Sequence, residues 1–265
     1  MRKNYKEKYC KKGMDNKRGQ VAIYIIVALV IVGIILVLYL FPSVRTTISG
    51  AEFSPNSYLK SCVEADVKTA VTELAQNGGY SKPEGTILYQ GKQIKYLCYS
   101  SDNYKTCTVQ QPMIKSNFEK ELSAIVTPKA NDCVKQLKAE YESRGYSVSA
   151  ASANSQVSII PGSVRIDFIA PMSITKDSTE TYNGFDVEVD SEMYDLLMTA
   201  QSVIEFESTY GDSETTLYLQ YYPDLKMEKV VLSDGSTIYK LSNVNTKEEF
   251  VFASRSLVWP PGYGL

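Results

Sequence analysis

Apolar and polar positions fall into three textures along the chain. From Gln20 to Phe41 no residue is charged, and Val, Ile, Leu, Ala and Tyr fill nearly every position. At about 1.5 Å per helical residue, Val21 to Leu40 spans about 30 Å, the hydrocarbon thickness of a bilayer. The pattern predicts a single membrane-spanning helix over residues 20–41. A buried helix of a soluble domain seldom exceeds about 14 wholly apolar residues. A removable secretory signal ends in a small-residue cleavage site, which Tyr39-Leu40-Phe41-Pro42 is not.

The second texture is helical. Leu59, Val63, Val67, Ala70, Val71 and Leu74 recur at helical spacing between Tyr58 and Asn77, and Gly78-Gly79 stops the run. After Pro112 the same spacing brings Phe118, Leu122, Ile125 and Val126 to one side. Pro128 is expected to break this helix, which then resumes through Cys133, Val134, Leu137 and Tyr141 and ends at Gly145. A third helix is predicted from Glu192 to Glu207, carrying Leu196, Leu197, Ala200, Val203, Ile204 and Phe206, with Ser191 as its N-cap.

The third texture alternates with a period of two. Ile87, Tyr89, Ile94, Tyr96 and Cys98 predict two short strands around Gly91. Val164, Ile166 and Phe168 follow Pro161-Gly162, and Phe185, Val187 and Val189 make a further strand. Thr216 to Tyr222 alternates in the same way and reads as a strand. Val230 to Leu232 and Ile238-Tyr239 flank Asp234-Gly235, a dipeptide suited to a tight hairpin turn, and Phe250 to Phe252 supplies a last strand. Trp259 to Gly264 is irregular, with Trp259 expected to pack onto the body as a latch.

The fold class expected is α+β: an N-terminal transmembrane helix, a disulfide-tied helical segment, then a mostly antiparallel sheet with a packed helix. The predicted organisation is a basic cytoplasmic head over 1–19, the membrane helix over 20–41, a stalk over 42–57, the helical segment over 58–146 and the sheet domain over 147–265.

Charge orients this arrangement. The first 42 residues carry eight basic and two acidic side chains, leaving 20 basic and 28 acidic beyond them. Basic flanks stay in the cytoplasm, so the N-terminus is expected inside and the C-terminal part outside the cell. The basic head suits anionic lipid headgroups. An acidic outer part disfavours nucleic acid, whose phosphates call for clustered Lys and Arg. Expected partners are the lipid bilayer and either a cell-surface protein or a second copy of the chain through the membrane helix.

Cys62, Cys98, Cys107 and Cys133 lie in the outer part, where disulfides persist, and Cys10 lies in the head. Of the three pairings, Cys98 with Cys107 is favoured because Ser100, Ser101, Asp102 and Asn103 between them read as a hairpin loop. Cys62 and Cys133 then remain, each on an apolar helix face.

Candidate chemistry is sparse. The chain has no histidine, which removes Ser/His and Cys/His nucleophile arrangements and His-containing metal sites. No phosphate-cradling Gly motif follows a strand, so no cofactor is expected. Asp186, Glu188 and Asp190 share one strand face and read as its solvated side, not as a glycosidase pair. Those three with Asp177 and Glu180 do not match the spacing of a calcium loop, so no metal is expected. Twenty tyrosines suit both half-buried strands and recognition surfaces.

Lys17-Arg18-Gly19-Gln20-Val21-Ala22-Ile23-Tyr24, running into the apolar stretch, resembles the class III signal peptide of archaeal type IV pilin-like proteins. The resemblance implies cleavage by a prepilin peptidase between Gly19 and Gln20. It departs at Tyr24, where that family carries Glu; the missing carboxylate argues against a filament core. Ser61-Cys62-Val63, Asn77 to Tyr80 and Pro260-Pro261 are similar to features of uncharacterised single-pass anchored surface proteins of small-genome archaea. The function expected is that of a membrane-anchored extracytoplasmic surface protein with a structural or binding role and no enzyme activity. The alternatives are a processed pilin-like subunit and a tethered carboxylate-dependent hydrolase.

Overall fold

The structure, a computed structural model, describes residues 28–30, 32, 54–150 and 154–258. Nearly all of the apolar stretch, the Gly19/Gln20 junction and the Trp259 latch lie outside the described residues. No helix among the described residues is long and apolar enough to cross a membrane.

Helix α1 (Pro55–Gln76) begins three residues before the expected start, with Pro55 in its first turn, where a missing N–H costs nothing. It buries Leu59, Val63, Val67, Ala70, Val71 and Leu74, as the spacing predicts. Gly79 donates its N–H to the Leu74 carbonyl at 2.8 Å and has φ +88°; a Cβ there would lie 3.3 Å from the Phe118 ring, so the stop requires glycine twice over.

Helix α2 (Ile114–Ser143) runs unbroken through Pro128, correcting the expected interruption. Proline in a helix interior costs roughly 3 kcal/mol. Burial offsets it here: Phe118, Leu122 and Val126 precede the proline on the buried face, and Ala130, Val134 and Leu137 continue that face beyond it. A disulfide from Cys133 to Cys62 pins the second half of α2 to α1.

Strands β1 (Thr86–Tyr89), β2 (Lys92–Tyr99), β10 (Leu225–Val231), β11 (Thr237–Asn243) and β12 (Glu249–Arg255) run in the order β1-β2-β12-β11-β10, the five-stranded sheet, and β3 (Thr108–Val109) returns onto β2 as a sixth, two-residue strand off this path. Within it only β2 and β12 run parallel, with a register shift between Ala253 and Ser254. Because β12 hydrogen-bonds to β2, the segments before and after residue 147 share one sheet, and both belong to one unit that starts at Ser54. Asp234-Gly235 makes the expected β10–β11 turn, with φ +83° at Gly235. The second disulfide, Cys98–Cys107, closes the loop between β2 and β3.

A kinked three-stranded meander makes the other sheet layer. Strands β4 (Ser147–Ala150) and β5 (Asn154–Ile160) pair with β7 (Met172–Thr175) and β6 (Ser163–Ile169) respectively. Strands β8 (Thr179–Tyr182) and β9 (Phe185–Asp190) add the third line against β7 and β6. The ribbon changes sheets at Ala170-Pro171 and Asn183-Gly184. Gly184 is needed at this kink because a Cβ would lie 2.5 Å from the Phe168 carbonyl oxygen.

Helix α3 (Met193–Tyr210), with α1, occupies the layer between the two sheets: α1 packs on β9 and β12, and α3 on β12, β11 and β5. Its start is held by two neighbours. The N-cap is Glu192, one residue past the expected Ser191; Ser191 Oγ accepts the Met193 N–H at 3.2 Å and donates to Glu248 at 2.7 Å, and this carboxylate from the β11–β12 turn also accepts the Glu192 N–H.

The expected strand over Thr216 to Tyr222 is instead a six-residue helix, α4 (Thr216–Tyr221). Glu214 accepts the Thr216 N–H at 2.8 Å at its start, and Pro223 follows its end. None of its residues is buried.

Candidate functional site

Two places where polar chemistry meets apolar surface differ in access: the first is sealed from solvent and the second is open to it. The first grows from the apolar stripe of α3. Leu196, Ala200, Val203 and Ile204 step along one face at helical spacing, and the next position on that face is Glu207, only 2 % exposed. Its carboxylate accepts hydrogen bonds from the Tyr239 hydroxyl on β11, from Ser254 Oγ on β12 at 3.1 Å and from the Ser213 N–H at 3.1 Å. Burial pushes the Glu207 carboxyl above the ordinary carboxylate range, against the opposing pull of these three donors. Burial, and then the charge of Glu207, push the Tyr239 hydroxyl up as well.

Lys229 reaches Asp212 and the Ser213 carbonyl, and its ammonium lies 5.9 Å from the Tyr239 ring centre. Ser254 Oγ also meets Cys107 Sγ at 3.7 Å, and Ser256 Oγ bridges the Cys107 N–H and the Glu207 carbonyl. The network therefore ties the end of α3 to β11, β12 and the Cys98–Cys107 loop. A carboxylate with a raised pKa in a cleft would be an acid–base candidate, but Glu207 is closed to any solute, and its three donors make it a staple.

The second place is the outer face of the five-stranded sheet. Ile94, Tyr96, Ile238 and Ala253 are buried there, and among the described residues the side chains packed around them, Ile87, Tyr89, Leu232 and Val251, come from strands and a turn and not from a helix. A groove of about 190 Å³ runs over this face, floored by Tyr89, Ile94, Val230, Ile238 and Val251. Lys92, Glu228, Lys240 and Glu249 rim it, with Lys240 and Glu249 paired at 2.7 Å. An apolar floor inside a charged rim is the make-up of a contact surface. The volume falls below the roughly 300–1,000 Å³ that encloses a small-molecule ligand.

Asp186, Glu188 and Asp190 all lie on the exposed side of β9, which alternates buried and exposed along its length. Glu188 is held by Arg165 across the ladder at 2.5 Å, and Asp186 stands opposite Asp167. Asp177 and Glu180 belong to the β7–β8 hairpin in the other half of the meander and do not join them. Among the described residues no group of three or more Cys, Asp or Glu side chains is placed to hold a metal ion. Cys62, Cys133, Cys98 and Cys107 are joined in the two pairs favoured on sequence.

Sequence reasoning placed Glu207 at the end of a helix and missed its role. The signal was there: a carboxylate on the apolar stripe of an amphipathic helix must find donors or remain at the surface. The outer-face groove had no such signal, because its floor comes from five strands in two parts of the chain distant in sequence. Comparison of the chain with protein-family models, with curated proteins and with solved structures found no match.

Proposed function

We propose that this chain is a single-pass, N-in membrane-anchored surface protein whose extracytoplasmic domain binds or scaffolds and does not catalyse. The observation that carries the reading is the pair of disulfides, Cys62–Cys133 and Cys98–Cys107, within a unit of 212 residues from Ser54 to Leu265. Such bonds persist in oxidising compartments and are rare in the cytosol. The uncharged stretch from Gln20 to Phe41 behind a basic head supplies the anchor in this reading.

A binding role is favoured over catalysis by where the carboxylates lie. Glu207, whose pKa is raised by burial, is sealed behind Tyr239 and Ser254, while the acids of β9 face solvent. The groove over Tyr89, Ile94 and Ile238 offers a partner apolar area with a charged border.

Protease added to intact cells tests the topology. Digestion of everything beyond the anchor, with the basic head left intact, is the expected result; full protection until lysis would overturn it. N-terminal sequencing of the same membrane fraction separates the anchor from a pilin-like subunit. A chain starting at Gln20, recovered in filaments, would replace the anchored reading.

A further inference from the structure

We infer that the free edge of β10 is a self-association surface at which a second copy of this chain pairs antiparallel, joining two five-stranded sheets into one. This assignment of a partner adds to the proposed role and does not depend on the membrane topology.

The edge is identified by the hydrogen bonds on its other side. Val244 donates its N–H to the Asp224 carbonyl, and Leu232 donates to the Ser236 carbonyl, so even-numbered residues turn their main chain toward β11. By alternation Met227, Lys229 and Val231 point theirs outward, where no strand of the described residues follows β10 in the sheet order. The other long edges are blunted. The β5 edge packs beside α2, and Glu119 of that helix takes the Ile159 N–H at 2.8 Å. The β9 edge packs beside α1, and β1 and β8 are only four residues long. Edges left open are templates for another chain unless charge or covering blocks them.

Exposed apolar side chains gather beside this edge. Leu217, Leu219, Tyr221 and Tyr222 of α4 and its end are 41 % exposed or more, and Val231 is 65 % exposed. Helix α4 touches β10 yet has no buried residue of its own. An apolar helix that its own chain leaves uncovered beside an open strand is a surface awaiting a partner.

Charge selects both the occupant and the register. In an antiparallel pair centred on Met227, the outward main chain of Met227 meets itself across a two-fold axis. Leu225 then stands opposite Lys229 of the second copy, and Lys226 opposite Glu228. The Lys226–Glu228 ion pair forms twice by symmetry, as an isologous interface requires. Within one protomer Lys226 already bonds Glu228 at 2.6 Å, which keeps the two opposite charges side by side on one face of β10. A shift of register by two residues in either direction places Glu228 against Glu228 or Lys226 against Lys226 and loses the pairing, since like charges directly opposite destabilise. Lys226 would repel an unrelated strand, and Glu228 of a second copy answers it.

The full-length chain in detergent, carrying Cys10→Ser, tests this by mild oxidation of single cysteines. Met227→Cys is expected to cross-link into a disulfide dimer, because facing residues of such a pair lie about 5.5 Å apart at Cα. Val231→Cys is the control: its symmetry mate lies eight residues along, roughly 27 Å away, and no cross-link is expected. Lys226→Glu or Glu228→Lys alone should abolish the dimer in sedimentation, and the two together should restore it. Retained native disulfides and circular dichroism establish that each variant folds. A folded Met227→Cys protein that stays monomeric, equal cross-linking at both positions, or no rescue in the double swap would each overturn the proposal.

Discussion

The five-stranded sheet and the kinked meander both give one face to the helical layer, yet their other faces differ in kind. The meander turns Arg165, Asp167, Asp186 and Glu188 to water, and its β9 alternates cleanly between buried and exposed positions. The five-stranded sheet keeps Ile94, Ile238 and Ala253 buried on its outer face, and β11 is buried along both sides. One sheet is finished against solvent. The other carries apolar surface and an open edge, the features on which the proposed binding role rests, on the side built from β1, β2 and β10 to β12.

The sharpest way to break this comparison is in the shared layer beneath the larger sheet. Phe252 is fully buried, stacked on Tyr239 at 5.2 Å and beside Phe250 at 5.9 Å. Phe252→Ala should cost about 3–5 kcal/mol in urea unfolding, whereas Asp186→Ala on the outer face of the meander should stay within about 0.5 kcal/mol. The two disulfides come next. Removing Cys62–Cys133 by paired alanines should cost roughly 4 kcal/mol and removing Cys98–Cys107 roughly 3, since the chain-entropy contribution grows with loop length. Differential scanning calorimetry of the two double variants would show that order, and a reversal would place strain or unfolded-state structure above loop entropy.

A test within the meander is Gly184→Ala, whose Cβ would press on the Phe168 carbonyl at the kink. A loss of about 1–3 kcal/mol is expected, with the five-stranded sheet unaffected in amide exchange. The pH dependence of the buried staple acts only over a window. The Glu207 carboxyl is raised in the folded state, so its stabilising contribution is complete below 4.5 and is lost as pH rises through the folded value. Glu207→Gln should remove that decline from chemical-denaturation curves, and an unchanged pH profile would show that the decline has another source. The smallest effect is expected from Arg165→Ala. Its ion pair with Glu188 is 44 % exposed on both sides and is worth about 0–1 kcal/mol.

Local patterning was enough for the elements that finish themselves against water. The faces of α1 and α3, the alternation of β6 and β9, the Asp234-Gly235 turn and the short Cys98–Cys107 loop all follow from neighbours within a few residues. Where tertiary contacts outweigh local preference, the sequence misled. Pro128 lies within a helix because buried residues on both sides of it hold the axis, and Thr216 to Tyr222 alternates like a strand yet folds as α4. The groove over Tyr89, Val230, Ile238 and Val251 was illegible for a related reason. It depends on the parallel match of β2 with β12, for which no nearby residue carries a signal.

That parallel match also bears on the order of events as the polypeptide is made. Tyr96 finds Ala253 only after the chain has emerged as far as β12, so the larger sheet cannot close before that point of synthesis. The Cys62–Cys133 bond joins segments completed much earlier and can form while β12 is still missing. Distant pairings of this kind fold slowly. A nascent chain stalled before Glu249 should therefore hold its first cystine while presenting an unclosed, aggregation-prone half-sheet, a state that a holding chaperone would have reason to meet.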